Sequence, residues 1–124
     1  MDAAEKVSLL QLAYRRFNTR DVDGLLAMMT ADVEWPDVAN AAVLHGPEAV
    51  RPYWLAQFAA ADPRVEPTDF LAAGDDVVAV VRQQVFGLDG EPLTEPATVY
   101  HRYSFRDDLV CRMVVFDERA AAVA

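Results

Sequence analysis

The sequence predicts a single α+β domain in which helices come first along the chain and strands follow. Three observations lead to this fold class. The 124 residues are the length of one domain, so we treat 1–124 as one unit. Helical patterns occupy the first half and runs rich in β-branched residues the second half, an order that argues against alternating βαβ units. With 53% hydrophobic residues, the chain can bury a core without disulfides or metal.

Two helices are predicted before the first strand. The first spans residues 4–18, where four apolar side chains share one helical face: Val7, Leu10, Tyr14 and Phe17. The second spans 22–29 and begins after Asp21, whose carboxylate can accept hydrogen bonds from free backbone N–H groups of the first turn. Its run of leucines and methionines predicts a buried element.

A strand, a loop and a third helix follow. We predict the strand over 33–37 and the loop over 38–46. The third helix is expected to open with Pro47, because proline is favoured at the first helical position. Pro52 lies inside this helix and removes one backbone hydrogen bond, so we expect a kink or a later start.

Four further strands complete the predicted sheet: 65–73, 77–86, 96–106 and 109–117. Proline cannot donate to a strand ladder, so Pro67 and Pro96 should lie at strand ends, sheet edges or bulges. Val77–Val81 is apolar on both faces and Val110–Phe116 nearly so, which indicates that both faces of the sheet are covered in part. The predicted outer face is mixed in polarity: Val78, Val80, Arg82, Gln84, Met113 and Val115. This composition predicts a homodimer through the sheets, the alternative being that Met113 and Val115 are merely solvent-tolerated strand formers.

Composition and net charge make several classes of binding partner and cofactor unexpected. A net charge of −9 makes nucleic acid and anionic membranes unexpected partners. The single cysteine, Cys111, cannot form an internal disulfide, and neither zinc-ligand spacing nor a signal peptide is recognised, so we expect a cytoplasmic protein without metal. Lys6 is the only lysine and lies near the chain end, which disfavours Schiff-base chemistry. We expect no cofactor.

Four segments resemble the nuclear-transport-factor-2-like superfamily. They are Phe17–Leu25, Ala31–Trp35, His45–Val50 and the closing hairpin Tyr103–Val110, which together cover nearly the whole chain in order. The sequence is most similar to the SnoaL-like branch, which contains polyketide cyclases; ketosteroid isomerase and limonene epoxide hydrolase share the fold. The resemblance implies a cone, in which a strongly curved mixed or antiparallel sheet wraps the N-terminal helices around an internal pocket. Its motifs are turns and caps, so it indicates fold more strongly than function.

Asp37 is the first candidate catalytic residue. Val33, Trp35 and Asp37 alternate, so they share one face of their strand. The resemblance to ketosteroid isomerase implies that Asp37 is a general base at the pocket mouth, where it would shuttle a proton next to a carbonyl group. The alternative is that Asp37, after Pro36, begins a loop and caps a turn.

His101 is the second candidate. The resemblance places it where the isomerase has a protonated aspartic acid, so that its imidazole would donate to the forming oxyanion or act as an acid. The isomerase's tyrosine donor matches Ala13 rather than Tyr14, so that oxyanion hole is not reproduced. The alternative is a core histidine bonded to a neighbour such as Glu34 or Tyr14.

Eight residues are candidate pocket walls: Tyr14, Trp35, Trp54, Phe58, Gln83, Tyr103, Arg112 and Phe116. Many of the aromatic ones are expected to be plain core. For Arg112 the alternatives are an inner ion pair with Asp37 or Glu34, or an ion pair at the surface or at an interface. The expected ligand is a small apolar molecule with a carbonyl or hydroxyl group.

Three functions stay open. The first is a cofactor-independent isomerase, cyclase or dehydratase that uses Asp37 and His101 as an acid–base pair. The second is a non-catalytic protein that binds a small ligand, and the third is a protein-interaction or dimerisation module. The first two are favoured, because several polar and aromatic candidates are expected to converge on one pocket.

Overall fold

A computed structural model describes residues 1–124 and shows four helices and one six-stranded sheet. In chain order the elements are α1 (Ala3–Asn18), α2 (Val22–Leu26), β1 (Met29–Asp37), β2 (Ala42–His45), α3 (Pro47–Ala60), β3 (Asp62–Ala73), β4 (Asp76–Phe86), β5 (Ala97–Arg106), β6 (Leu109–Phe116) and α4 (Arg119–Val123). The strand order is β2-β1-β6-β5-β4-β3, and all neighbouring strands are antiparallel except β1 and β6. The α+β class with a curved, mixed sheet is confirmed.

The core lies between the concave face of the sheet and helices α1, α2 and α3. The predicted apolar face of α1 is buried there, with Leu10 fully inaccessible and Tyr14 nearly so. Asp2 caps the helix by accepting a hydrogen bond from the backbone of Glu5. Side chains from every strand except β2 and β3 supply buried members of this core. None of the four helices combines the length and the apolar character that crossing a membrane requires.

Helix α2 ends earlier, and strand β1 begins earlier, than the sequence pattern predicts. The predicted helix 22–29 stops at Leu26, and β1 already starts at Met29. The cause is pairing with β6, because Met29 stands opposite Val110 and the Val110 N–H donates to the Met28 carbonyl over 2.9 Å. Leu and Met suit either structure, so the partner strand decides between them.

Two short elements were not predicted at all. Strand β2 occupies part of the segment expected to be a loop, and it pairs with β1 so that Leu44 stands opposite Trp35. Helix α4 spans five residues, and its Ala122 is fully buried against Val78 and Ala73 on the outer side of the sheet. Elements of four or five residues are too short to carry a periodic pattern.

Helix α3 starts at Pro47, as the pattern indicates, and continues through Pro52 to Ala60, so the later start is wrong. Gly46 precedes it with a φ of +84°, a conformation that only glycine adopts without strain. A Cβ atom there would lie 2.6 Å from the carboxylate of Glu48. The glycine therefore sets the sharp entry into the helix.

A β-bulge in β6 determines which side chains face the cavity. Ser104 of β5 stands opposite Arg112, but the next residue, Phe105, stands opposite Val110, so Cys111 is an extra residue in the ladder. An extra residue reverses the alternation of faces from that point onward.

The bulge corrects the predicted faces of the last strand. Met113 is buried in the core and Val115 packs against it, whereas both were predicted to lie on the outer face. Arg112 and Phe116 were predicted to face inward, and they lie on the outer face instead. The reason is physical: a shift of one residue moves every following side chain to the opposite side of the sheet.

Candidate functional site

A cavity of about 480 Å³ lies between the helices and the concave face of the sheet. Of its 26 lining residues, 18 are hydrophobic, so it suits a ligand with an apolar body. Trp35 and Trp54 form one wall, with their rings edge to face at a centroid distance of 5.2 Å. The polar lining residues, apart from tyrosines, are Gln57, Arg64, Gln83, Gln84, His101 and Asp117.

Six of the candidate site residues line this cavity: Tyr14, Trp35, Trp54, Gln83, His101 and Tyr103. They come from α1, β1, α3, β4 and β5, so the curvature of the sheet brings distant segments together. The other four do not line it: Asp37, Phe58, Arg112 and Phe116. Phe58 instead packs edge to face on Phe17, at a centroid distance of 5.1 Å.

The polar centre of the cavity is a chain of three hydrogen-bonded side chains. The Tyr14 hydroxyl lies 2.8 Å from Nδ1 of His101 and 2.9 Å from the Tyr103 hydroxyl. All three residues are buried, with His101 only 8% exposed. The other ring nitrogen of His101, Nε2, has no partner in the protein and is not among the buried polar atoms that lack one. Nε2 therefore faces the cavity that His101 lines.

Burial controls the protonation of this chain. It lowers the pKa of His101 to about 4, so the imidazole is neutral at pH 7. Burial also raises the pKa of Tyr103, and burial together with the neighbouring Tyr103 raises the pKa of Tyr14. All three groups are therefore neutral near pH 7 and interact by hydrogen bonding rather than by charge.

Asp37 is the last residue of β1 and does not line the cavity, although its neighbours Pro36 and Val38 do. Its carboxylate accepts hydrogen bonds from the backbone N–H of Asn40 over 3.3 Å and from the Asn40 side chain over 2.8 Å. Burial and, secondarily, the charge of Asp37 raise the pKa of Tyr53, which lines the cavity. Asp37 thus caps the turn after β1, and no hydrogen bond joins it to His101.

Arg112 forms an ion pair at the surface. Its Nε atom lies 3.6 Å from a carboxylate oxygen of Glu34, and both side chains are about half exposed. The two residues are opposite each other in the parallel β1–β6 pair, on the outer face of the sheet. Of the alternatives for Arg112, the structure shows the surface pair with Glu34.

Sequence reasoning missed several lining residues. Asp117 follows β6 and reaches the cavity because the bulge turns that end of the strand inward. Gln57 and Tyr53 come from α3, one helical turn apart, a spacing that could have identified them as one face. No group of three His, Cys, Asp or Glu side chains is arranged to hold a metal ion.

Comparison with known proteins gives one family and many similar folds. A family model described as a SnoaL-like domain matches residues 10–113. No curated protein matches the sequence. In fold, the chain is related to polyketide cyclases and to ketosteroid isomerase-like proteins.

Three solved structures illustrate the similarity. TerC, co-crystallised with polyporic acid, is 23% identical with a TM-score of 0.78, and the match covers 94% of each chain. An NTF2-like protein of unknown function from Burkholderia pseudomallei is 20% identical, with a TM-score of 0.78 and coverage of 98% and 95%. A protein of ketosteroid isomerase-like fold from Catenulispora acidiphila, in complex with trimethylamine, is 15% identical, with a TM-score of 0.75 and coverage of 92% and 88%. Identities this low show a shared fold.

Proposed function

Because this chain belongs to the SnoaL-like domain family, we propose that its cavity binds a small, largely apolar carbonyl compound and promotes proton transfer next to the carbonyl group without a cofactor. Isomerisation, cyclisation and dehydration are the reactions of this class. The observation that carries the proposal is the buried chain Tyr103–Tyr14–His101, which ends on a free ring nitrogen in the cavity.

Counting protons assigns the tautomer of His101. If Tyr103 donates to Tyr14 and Tyr14 donates to Nδ1, every hydroxyl proton has an acceptor and the ring proton is on Nε2. In the opposite direction, the Tyr103 proton has no acceptor within the protein, although Tyr103 is only 4% exposed. An unsatisfied buried donor costs about 1–3 kcal/mol, which favours the first arrangement.

The resulting Nε2–H group is a hydrogen-bond donor in an apolar cavity. A carbonyl oxygen is the complementary acceptor, and a donor fixed in advance stabilises the negative charge that develops on this oxygen when a neighbouring proton leaves. A neutral imidazole does this without placing a charge in the cavity. Tyr14 and Tyr103 act as positioning residues in this proposal.

Proton removal also needs a base, and two carboxylates lie at or beside the cavity lining. Asp37 ends β1 and Asp117 follows β6, and these two strands are parallel neighbours. Asp117 lines the cavity directly, whereas Asp37 does not line it and is bonded to Asn40. Separate Asp37→Asn and Asp117→Asn variants identify the base, because only the variant that lacks it is expected to lose activity.

Two proteins of the same fold are described with small organic ligands, which supports the proposed use of the cavity. TerC was crystallised with polyporic acid, and a computationally designed protein of this fold binds 17-OHP. The apolar walls and the buried His101 donor of this chain fit the same use of the cavity, with a carbonyl group as the selected feature.

The binding test compares 2-acetylnaphthalene with 2-ethylnaphthalene, which differ in the carbonyl group. We expect the ketone to bind about three- to tenfold more tightly to the wild-type protein, the worth of one hydrogen bond. The His101→Leu variant should lose this preference, while His45→Leu, at an exposed histidine, should keep it. Equal affinities of the wild-type protein for the two probes would contradict the proposal.

Catalysis is tested by deuterium exchange of the methyl protons of 2-acetylnaphthalene in D₂O, followed by NMR. We expect the wild-type protein to accelerate exchange above buffer and His101→Leu to slow it at least tenfold, since one oxyanion donor is worth roughly that much or more. If binding is confirmed but exchange stays at the buffer rate, the protein is a carbonyl-binding protein without this enzymatic activity.

We also propose a homodimer through the outer face of the sheet. A row of partly buried apolar side chains crosses three strands there, since Val80 stands opposite Tyr100 and Tyr100 opposite Phe116. Val114 lies beside this row. The predicted contribution of Val78 is replaced, because α4 of the same chain covers it.

A further inference from the structure

Gln83 is a second polar side chain on the inner face of the sheet, in the same cavity as His101. The β4–β5 register runs without interruption from Ala79, opposite His101, to Gln83, opposite Ala97. Because side chains alternate along a strand, Ala79 and Gln83 share a face, and that face is the one on which His101 lies. Both Gln83 and His101 line the cavity. The proposed carbonyl site makes no use of Gln83.

The amide of Gln83 has no hydrogen-bond partner in the protein. The side chain is half-buried, and its amide atoms are not among the buried polar atoms that lack a partner. The neighbouring Gln84 also borders the cavity, but its amide donates a hydrogen bond to the Thr94 carbonyl over 3.0 Å. The Gln83 amide is therefore free to bond a molecule in the cavity.

An uncharged amide selects a particular kind of ligand group. It offers two N–H donors and one carbonyl acceptor, so hydroxyl and carbonyl groups are its complements. Most of the residues around it are hydrophobic. A purely apolar ligand that covered Gln83 would leave the amide without a partner, at a cost of about 1–3 kcal/mol. A ligand that brings its own neutral polar group avoids this cost.

The strand geometry sets the distance between the two polar positions. Four residues of an antiparallel strand separate the level of His101 from that of Gln83, a span of about 14 Å. Val99 lies between them on the same face and lines the cavity. Side chains stand roughly perpendicular to a sheet, and each hydrogen bond spans about 2.9 Å, so the polar atoms of a bridging ligand are about 8 Å apart.

We infer that Gln83 hydrogen-bonds a second, neutral polar group at the far end of the cavity ligand, an inference that rests on the proposed function. The substrate class is then an elongated compound with two polar ends. Its carbonyl oxygen lies at His101, its apolar middle lies against Val99, and a hydroxyl or second carbonyl group lies at Gln83, about 8 Å from the first.

The test compares 2-acetylnaphthalene with 6-acetyl-2-naphthol, which adds a hydroxyl group at the opposite end of the same ring system. By titration calorimetry, we expect the wild-type protein to bind the naphthol about three- to tenfold more tightly, the worth of one hydrogen bond. Gln83→Met keeps an unbranched side chain without the amide. It should lose this preference and leave the affinity for 2-acetylnaphthalene within about twofold. The control Gln11→Met, at an exposed glutamine outside the cavity, should keep the preference.

Three outcomes would overturn the inference. They are equal affinities of the wild-type protein for the two ketones, a hydroxyl preference that persists in Gln83→Met, and one that is lost instead in Gln57→Met, at the other unbonded glutamine of the cavity wall. Gln83→Leu replaces Gln83→Met if the latter fails to fold. Failure of the proposed function is a different result, namely equal binding of 2-acetylnaphthalene and 2-ethylnaphthalene.

Discussion

At the scale of single residues, the cavity is organised by one neutral histidine. His101 is opposite Val115 in the β5–β6 ladder, with apolar neighbours on its own face of the sheet. Its ring is oriented by Tyr14, which comes from a helix 87 residues away in sequence. Burial keeps the histidine neutral. Its interaction with a ligand therefore depends on the direction of a hydrogen bond rather than on charge.

Burial of His101 makes the stability of the protein depend on pH. Its pKa is about 4 in the folded protein and 6.5 when unperturbed, so between these values the unfolded chain binds a proton that the folded protein does not. The contribution of His101 is complete above pH 6.5 and decreases as the pH falls to 4, by up to about 3 kcal/mol.

The His101→Gln variant tests this pH dependence. We expect the free energy of unfolding, measured by urea denaturation from pH 7.5 to 4.5, to decrease less steeply in the variant than in the wild-type protein, because the variant has no imidazole to protonate on unfolding. His45→Gln, at an exposed position, should follow the wild-type slope. Parallel curves for wild type and His101→Gln would show that burial does not lower this pKa.

At the scale of elements, α3 tolerates a proline that opposes its structure. Pro52 lacks the N–H that would bond to the Glu48 carbonyl one turn earlier, yet the helix continues to Ala60. Tertiary packing explains this, because Trp54 is 2% exposed and Val50 is fully buried against the core. Burial of large apolar side chains outweighs the lost hydrogen bond.

Replacing the exposed Pro52 by alanine should therefore stabilise the protein. We expect the free energy of unfolding to rise by about 1–2 kcal/mol, since alanine restores the helical N–H at the expense of a more flexible unfolded chain. Urea denaturation measures the change. Pro47→Ala is the control and should give no gain, because the first helical position needs no N–H donor. A loss of stability in Pro52→Ala would mean that the proline ring itself packs favourably.

The bulge in β6 determines which side chains of this strand face the cavity. Without Cys111 as an extra residue, Arg112 and Phe116 would face the cavity, and Met113 and Val115 would face outward. The apolar lining of the cavity near His101 depends on this reversal, as does the inward position of Asp117.

At the scale of the whole molecule, the outer face of the sheet is divided between the chain's own α4 and a remaining apolar row. Ala122 of α4 covers Val78, and Arg102 anchors this helix by donating hydrogen bonds to the carbonyls of Ala122 and Ala124. Tyr100 and Phe116 also pack partly against this cluster of Val78 and Ala122, and their accessible parts are left, with Val80, for the proposed dimer. The homodimer stays a prediction.

A charge placed on this face tests the dimer. We expect the wild-type protein to have the mass of a dimer by size-exclusion chromatography with light scattering, and Val114→Arg to have that of a monomer, because an unpaired charge in an apolar interface is costly. Val43→Arg, at an exposed position on the edge strand β2, should remain a dimer. A monomeric wild-type protein would refute the proposed interface.

The sequence by itself determined the order of the main elements and the residues that form the buried face of α1. These depend on local periodicity and capping, which adjacent residues encode. It also identified His101 as a candidate site residue, together with Tyr14 and Tyr103 as candidate walls. The family motifs, which mark turns, were sufficient for the fold class.

Only the tertiary structure decided how these residues meet. The chain Tyr103–Tyr14–His101 joins segments far apart in sequence, and its hydrogen-bond direction depends on the burial of every member. Asp37 is hydrogen-bonded to Asn40 rather than to His101, and the faces of β6 were reversed at Cys111. Periodicity is a local property, whereas register, burial and hydrogen-bond partners depend on the neighbour across the sheet.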